Sequence, residues 1–366
     1  MALNYLLILL PIGAFLLTDK LIPPIIGLIN LKHLMDAPNG RSSHEKMTPN
    51  MGGIAFFICL MISLYFLDYV DYYNSINSIL PGLTIMFIIG MKDDLLMLTP
   101  RVKLLSQIIA CLFLLFHFNF AIYTLNGFLG INNINPYVGA ILALFIMLAI
   151  INAYNLIDGI DGLASIIGLI ILALFGAIFF LVKTYLFAGI SFVLMGSLSA
   201  FLCYNISKQN KIFMGDTGSM IIGFVLGAMA IRLLALPMDL LDNLGFITSN
   251  LPIVIAAMFI IPFFDMSRVM LVRMSQGKSP FSPDRNHIHH LLIDKLHLTH
   301  VKASLILGAF HLLFASLIIY FSTFMDSYLL LAVFLFGISL LALVFAYLKK
   351  SDFTPQVKES KGVLKV

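Results

Sequence analysis

Charge is scarce in this sequence: only 11% of its 366 residues are Asp, Glu, Lys or Arg, against about 25% in soluble domains. That excludes an ordinary soluble enzyme. With 60% hydrophobic residues it excludes a disordered chain as well. Cysteine is scarcer still. Cys59, Cys111 and Cys203 are the only three, and each sits in an apolar run. They read as small buried hydrophobes, so a disulfide scaffold is excluded. Glutamate is nearly absent, with Glu45 and Glu359 beside 16 Asp. The net charge of +4 is too small to imply a nucleic-acid partner. Residues 1–13 lack the basic n-region of a cleaved signal peptide, and they are expected to begin the first membrane span.

What is present is apolar length, with a mean hydropathy of +1.01. At about 20 residues per span, the composition predicts an all-α polytopic membrane protein. Apolar windows place eleven transmembrane helices at 3–30, 51–69, 79–91, 103–120, 136–153, 162–182, 184–204, 217–237, 251–273, 303–324 and 327–348. The first is interrupted by Asp19-Lys20 and Pro23-Pro24. No internal repeat is visible. Residues 1–348 read as one transmembrane catalytic domain and 349–366 as a cytoplasmic tail. With the N-terminus outside, alternate loops plus the tail hold 18 of the 22 Lys and Arg, counting Lys103 and Arg273 at span edges. The opposite loops hold Lys183 alone. The positive-inside rule makes the basic set, and the C-terminus, cytoplasmic.

Five polar clusters fall on that cytoplasmic side. The first is Lys92-Asp93-Asp94, which continues through Arg101, Lys103 and Gln107. Adjacent carboxylates repel unless a cation neutralises them. The second is Asn152, Asn155, Asp158 and Asp161, spaced by three. Such a stripe drifts about half a turn over nine residues, and Gly159 and Gly162 would allow a break that regathers it. The EF-hand ladder and its terminal Glu are missing, so calcium is a poor fit. The third, Phe213-Met-Gly-Asp216-Thr-Gly-Ser219, opens a span with glycines that expose backbone N–H groups suited to phosphate. Asp or Ser there could equally be a helix cap. No Walker-type Lys follows. The fourth, Asp284-Arg285-Asn286-His287-Ile-His289-His290, has no nearby Cys and no HExxH helix, which argues against closed zinc. It fits an electropositive clamp on a phosphorylated ligand. His297 and His300 read as solvated, and His117 and His311 as packed within spans. The fifth runs from Asp36 through Lys46 to Thr48-Pro-Asn-Met-Gly-Gly53. Asp68, Asp71, Asp239, Asp242 and Asp326 fall on the outer side as solvated loop residues.

Taken together, these motifs resemble the polyprenyl-phosphate N-acetylhexosamine-1-phosphate transferase family, in the family's order from about Asp36 to His290. The Asp284–His290 stretch resembles the bacterial branch that uses N-acetylglucosamine (GlcNAc). The branch that transfers phospho-MurNAc-pentapeptide carries three consecutive His and then an acid, a run that Ile288 interrupts here; it stays as an alternative.

The resemblance implies transfer of GlcNAc 1-phosphate from UDP-GlcNAc to undecaprenyl phosphate. UMP is released, magnesium (or manganese) is required, and a cell-envelope polysaccharide is started. The implied location is the cytoplasmic face of the bacterial inner membrane; homodimerisation is left open. It also implies residue roles. Asp93, with Asp94 alongside, deprotonates or binds the lipid phosphate. Asp216 is the principal metal ligand, helped by Asp158. Asn152, Asn155, Asp158 and Asp161 hold the nucleotide, Phe213 stacks on uracil, and Lys46 is a further nucleotide contact. Arg285, His287, His289 and His290 grip the diphosphate or sugar. Direct attack and a covalent carboxylate intermediate remain open. An ion-coupled transporter would instead use Asp19 and Asp265, the latter three residues from Arg268.

Overall fold

The computed structural model describes residues 2–32, 35–36, 48–71, 74–241, 244–277 and 287–350. Helices dominate: α1 Ala2–Leu31, α2 Gly53–Leu67, α3 Ser75–Leu96, α4 Pro100–Leu115, α5 Pro136–Ile157, α6 Leu163–Leu181 and α7 Tyr185–Asn205. They continue as α8 Gly215–Leu234, α9 Met238–Leu241, α10 Leu251–Met258, α11 Ile260–Ser275, α12 Ile288–Leu296, α13 His300–Phe321 and α14 Ser327–Lys350. Their starts follow helix-entry chemistry. Pro100 and Pro136 open α4 and α5, where a missing N–H costs nothing. The Asn135 and Thr299 side chains cap α5 and α13. Asp71 and Asp326, expected to be solvated, cap α3 and α14.

Among the described residues, eight helices are long and apolar enough to cross a membrane. The pair Thr248–Met258 and Ile260–Ser275, bent by 66°, passes the same test jointly and makes a ninth candidate if it is counted as one broken span. Every expected window falls on a helix or on this bent pair, but α3 and α4 do not reach that standard. The 16 residues of α4 extend about 24 Å, short of the roughly 30 Å hydrocarbon core. α3 ends in Lys92, Asp93 and Asp94.

Several local expectations change. α1 runs unbroken through Pro11, Pro23 and Pro24, and the Asp19 carboxylate accepts the Tyr204 hydroxyl at 2.9 Å. Cys203 is exposed, whereas Cys59 and Cys111 are buried. Two antiparallel pairs supplement the helices: β1 Met35–Asp36 with β2 Thr48–Pro49, and β3 Thr124–Phe128 with β4 Ile131–Asn133.

α8 is the axis of the bundle. Thr217–Leu234 is buried at every residue, enclosed by α2, α3, α5 and α6. Glycine sets how close α3 comes: a Cβ on Gly90 would lie 2.5 Å from the Thr217 Cα. One helical turn further on, the same face of α3 carries Asp94 to the start of α8.

Candidate active site

The expected site assembles where α3, α4, α5 and α8 converge. Asp216, in the first turn of α8, accepts at Oδ1 from the Lys103 ammonium and from Asn155 Nδ2. Lys103 Nζ also lies 3.0 Å from Asp93 Oδ2 and 3.3 Å from Asn155 Oδ1. Asn155 Nδ2 donates to Ser219 Oγ at 2.7 Å. Four elements thus meet around one ammonium. Sequence reading placed Lys103 in the first cluster without giving it a role. The signal was there: a cation in the first turn of a helix opposes the macrodipole, so a partly buried one calls for carboxylates nearby.

Asp94 has a different task from its neighbour. Its carboxylate accepts the backbone N–H of Asp216 at 2.8 Å, that of Thr217 at 3.0 Å, and the Thr217 hydroxyl at 2.5 Å. The N–H groups read as open to phosphate are therefore occupied, and the cap of α8 comes from another helix rather than from Asp216 or Ser219. Gly215 turns with φ +73°, and a Cβ there would meet the Asp94 carboxylate at 2.7 Å. The fifth cluster closes on the third through the backbone. Phe213 N–H donates to Pro49 O, Gly52 N–H to Phe213 O, and Gly53 N–H to Met214 O.

The Asn/Asp stripe breaks as expected but is not fully regathered. α5 ends at Ile157, Asp158 follows, and Gly162 turns with φ +81° into α6. Asp158 stays with the acidic group. Burial, followed by the charges of Asp216, Asp94 and Asp161, pushes its carboxyl up to about 8. Asp161 faces elsewhere, 2.6 Å from Lys211 Nζ and 3.5 Å from His300 Nδ1. Burial raises its pKa, but His300 and Lys211 outweigh that and hold it below the usual carboxylate range. His300 is thus not merely solvated, and Lys211 is a second residue that the motifs missed. The Lys211 ammonium also sits 5.2 Å from the centre of the Phe213 ring, within cation–π reach.

Asn152 lies one turn below Asn155 and does not touch the acidic group. Its Nδ2 donates to Gln107 Oε1 and to Leu148 O, both at 2.8 Å. Gln107 is fully buried in α4, so this amide pair locks α4 to α5. Asn152→Leu is expected to lower unfolding stability by about 1–3 kcal/mol, because the Gln107 amide loses its partner away from water. Thermal unfolding in detergent measures it, and an unchanged midpoint would remove the pair's structural role.

His287 meets a partner that local spacing did not suggest. Its Nδ1 is 2.9 Å from Asp265 Oδ2. His289 and His290 lie in α12, but their side chains, like Lys46 and Arg285, fall outside the described residues. The two carboxylates of the transporter reading are both engaged within the protein, Asp19 with Tyr204 and Asp265 with His287 and Arg268.

The structure is thus an apolar helical framework that draws aspartates and a lysine together at its helix ends. The chain belongs to glycosyl transferase family 4, whose model matches residues 76–234, from the start of α3 to the end of α8. It is similar to a probable undecaprenyl-phosphate N-acetylglucosaminyl 1-phosphate transferase of Bacillus subtilis strain 168. The two are 32% identical over 293 residues, or 76% of this chain and 75% of that protein. It is also similar to undecaprenyl-phosphate alpha-N-acetylglucosaminyl 1-phosphate transferase of Escherichia coli O157:H7, 28% identical over 71% of this chain and 69% of that one. A decaprenyl-phosphate N-acetylglucosaminephosphotransferase of Mycobacterium leprae is 31% identical over 74% and 72%.

Proposed function

We propose that this protein transfers GlcNAc 1-phosphate from UDP-GlcNAc to undecaprenyl phosphate, releasing UMP, and so starts a cell-envelope polysaccharide. The names of relatives from three bacteria support the reaction. The observation that carries the reading is the meeting of Asp93, Lys103, Asn155 and Asp216. The proposal includes eleven crossings, an outer N-terminus, and a site at the cytoplasmic face of the inner membrane, as the Lys/Arg distribution favours.

The residues fit a magnesium ion. Their donors are hard carboxylate oxygens, and the neighbouring carboxylate charge that adds to burial in raising Asp158 is what a divalent cation relieves. Among the described residues no group of three acids or histidines forms a ready-made metal cage. Magnesium does not need one, since it takes one or two carboxylates plus substrate phosphates. Asp216 and Asp158 would hold it. When bound, it supplies neutralisation of the diphosphate and of the leaving UMP.

The chain's own residues do the rest. Asp93 binds the lipid phosphate and accepts its remaining proton. A phosphate oxygen of the lipid attacks the phosphorus that bears the sugar, forming one P–O bond as the bond to UMP breaks. Lys103, already between Asp93 and Asp216, meets the negative charge of the two substrates as they approach. Asn155 holds Asp216 in place. Phe213, backed by Lys211, offers a ring face to uracil.

Purified protein with UDP-GlcNAc, undecaprenyl phosphate and magnesium is expected to yield UMP and lipid-linked GlcNAc phosphate. Magnesium alone should raise the thermal midpoint of the resting protein, as any ligand of the native state does, and EDTA should reverse the rise. Ion-coupled uptake into vesicles without UMP release would favour the transporter instead.

A further inference from the structure

We propose that the turn joining α3 to α4 is a membrane-inserted lip. Leu96 and Met97 sink into the acyl region of the leaflet beside the site, and Lys92 and Arg101 hold the head groups of anionic phospholipids around it. The insertion stands on the helical architecture alone; its link to the lipid substrate rests on the transferase reading above. Lys92, Leu95 and Leu96 share one face of α3, and Val102, Leu105 and Ile109 share one face of α4. All six side chains are exposed. The acids between them turn inward, Asp93 to Lys103 and Asp94 to the start of α8. The outward charge, on Lys92 and Arg101, is positive. An apolar patch with a cationic rim matches an anionic lipid surface.

Helix length sets the depth. The 16 residues of α4 are too few to carry its first turn clear of a hydrocarbon core of about 30 Å, so the turn before it is held at the acyl boundary. Met97 gives a second reason. It closes α3 in the left-handed region, at φ 50°, with its N–H bonded to Asp93 O. Glycine is the usual residue at such a helix end, because a Cβ is strained there. Here the position instead presents a long, flexible apolar side chain that is 84% exposed. The lip is also tied to the site. Leu98 N–H donates to Asp93 Oδ1 at 2.6 Å, while Oδ2 faces Lys103. The carboxylate assigned to the lipid phosphate is thus bonded to the segment that sets its depth in the leaflet.

The chain contains no tryptophan, so Met97→Trp places a single fluorophore on the lip. In bilayer nanodiscs of phospholipids brominated on their acyl chains, its emission is expected to fall by about half or more, as for a side chain at the acyl boundary. Gln209→Trp, on an exposed residue between α7 and α8, should be barely quenched. Leu96→Trp repeats the measurement without touching the left-handed turn. In phosphatidylcholine membranes, a minor fraction of brominated phosphatidylglycerol should be preferred over brominated phosphatidylcholine by about fivefold, the scale of one basic residue at an anionic surface. Lys92→Gln with Arg101→Gln should abolish that preference. Quenching at 96 and 97 no greater than at 209 would overturn the insertion, and no preference between the two brominated lipids would overturn the head-group role. Leu96→Gln with Met97→Gln should raise the KM for undecaprenyl phosphate several-fold and leave that for UDP-GlcNAc unchanged. Two unchanged KM values, or equal damage to both, would overturn the link to Asp93. If the wild-type protein releases no UMP, the transferase reading falls, while quenching still decides the lip.

Discussion

Asp216→Asn is expected to fold, to bind magnesium poorly, and to release UMP about three orders of magnitude more slowly than wild type, near the upper end of what losing one electrostatic contact to a reacting phosphate costs. The fold should survive because Asp216 is not what starts α8. The first N–H groups of that helix are held by Asp94, and an Asn at 216 leaves them so. Asn at 216 can still accept from Asn155 Nδ2 or from Lys103. What it loses is the charge. Lys103 then keeps one carboxylate, Asp93, where it had two. UMP release with thermal unfolding gives a clean reading: normal unfolding with lost turnover supports the assignment. Near-normal turnover would end it. The magnesium-dependent rise in the thermal midpoint should shrink in the same variant, a readout that does not depend on catalysis.

The membrane architecture was legible because it depends on composition over 20-residue windows, which neighbouring elements scarcely alter. The two windows that fell short, α3 and α4, are the ones whose ends carry the chemistry. Lys92, Asp93, Asp94, Arg101 and Lys103 interrupt apolar runs just where the site is built. Which residue types gather there was legible too. The pairing was not. Asp94 meets residues more than 120 positions away, Asp161 meets Lys211 at a separation of 50, and Asp265 meets His287 at 22. A motif shows that a charge exists beside an apolar span. Low dielectric requires that the charge be matched, but helix packing chooses the match. Local spacing therefore offered Arg268 for Asp265 and a shared nucleotide site for Asp161. The hairpin of β3 and β4 was missed because Thr124–Asn133 has little apolar alternation to mark it as strand.

The capping role of Asp94 leads to the second large effect. Gly215→Ala is expected to destabilise the protein by several kcal/mol and to abolish measurable UMP release. Two costs add. The backbone at 215 has φ +73°, where a residue with a Cβ is strained by about 1–3 kcal/mol. The new methyl would also lie 2.7 Å from Asp94 Oδ2 and 2.8 Å from Oδ1, so the carboxylate must move. That leaves the N–H groups of Asp216 and Thr217 without their acceptor, at about 1–3 kcal/mol each in a buried setting. The control lies on the same helix. Gly227 has no left-handed turn, and its nearest neighbour to an added Cβ is the Met147 Cα at 3.5 Å, an ordinary contact. Gly227→Ala should therefore be tolerated or slightly stabilising, since alanine is the better helix former by about 1 kcal/mol. Thermal unfolding of the two variants side by side isolates the cap from general crowding of α8. Equal midpoints would mean that Asp94 does not hold the start of the helix, and the separation of roles between Asp93 and Asp94 would fall with it.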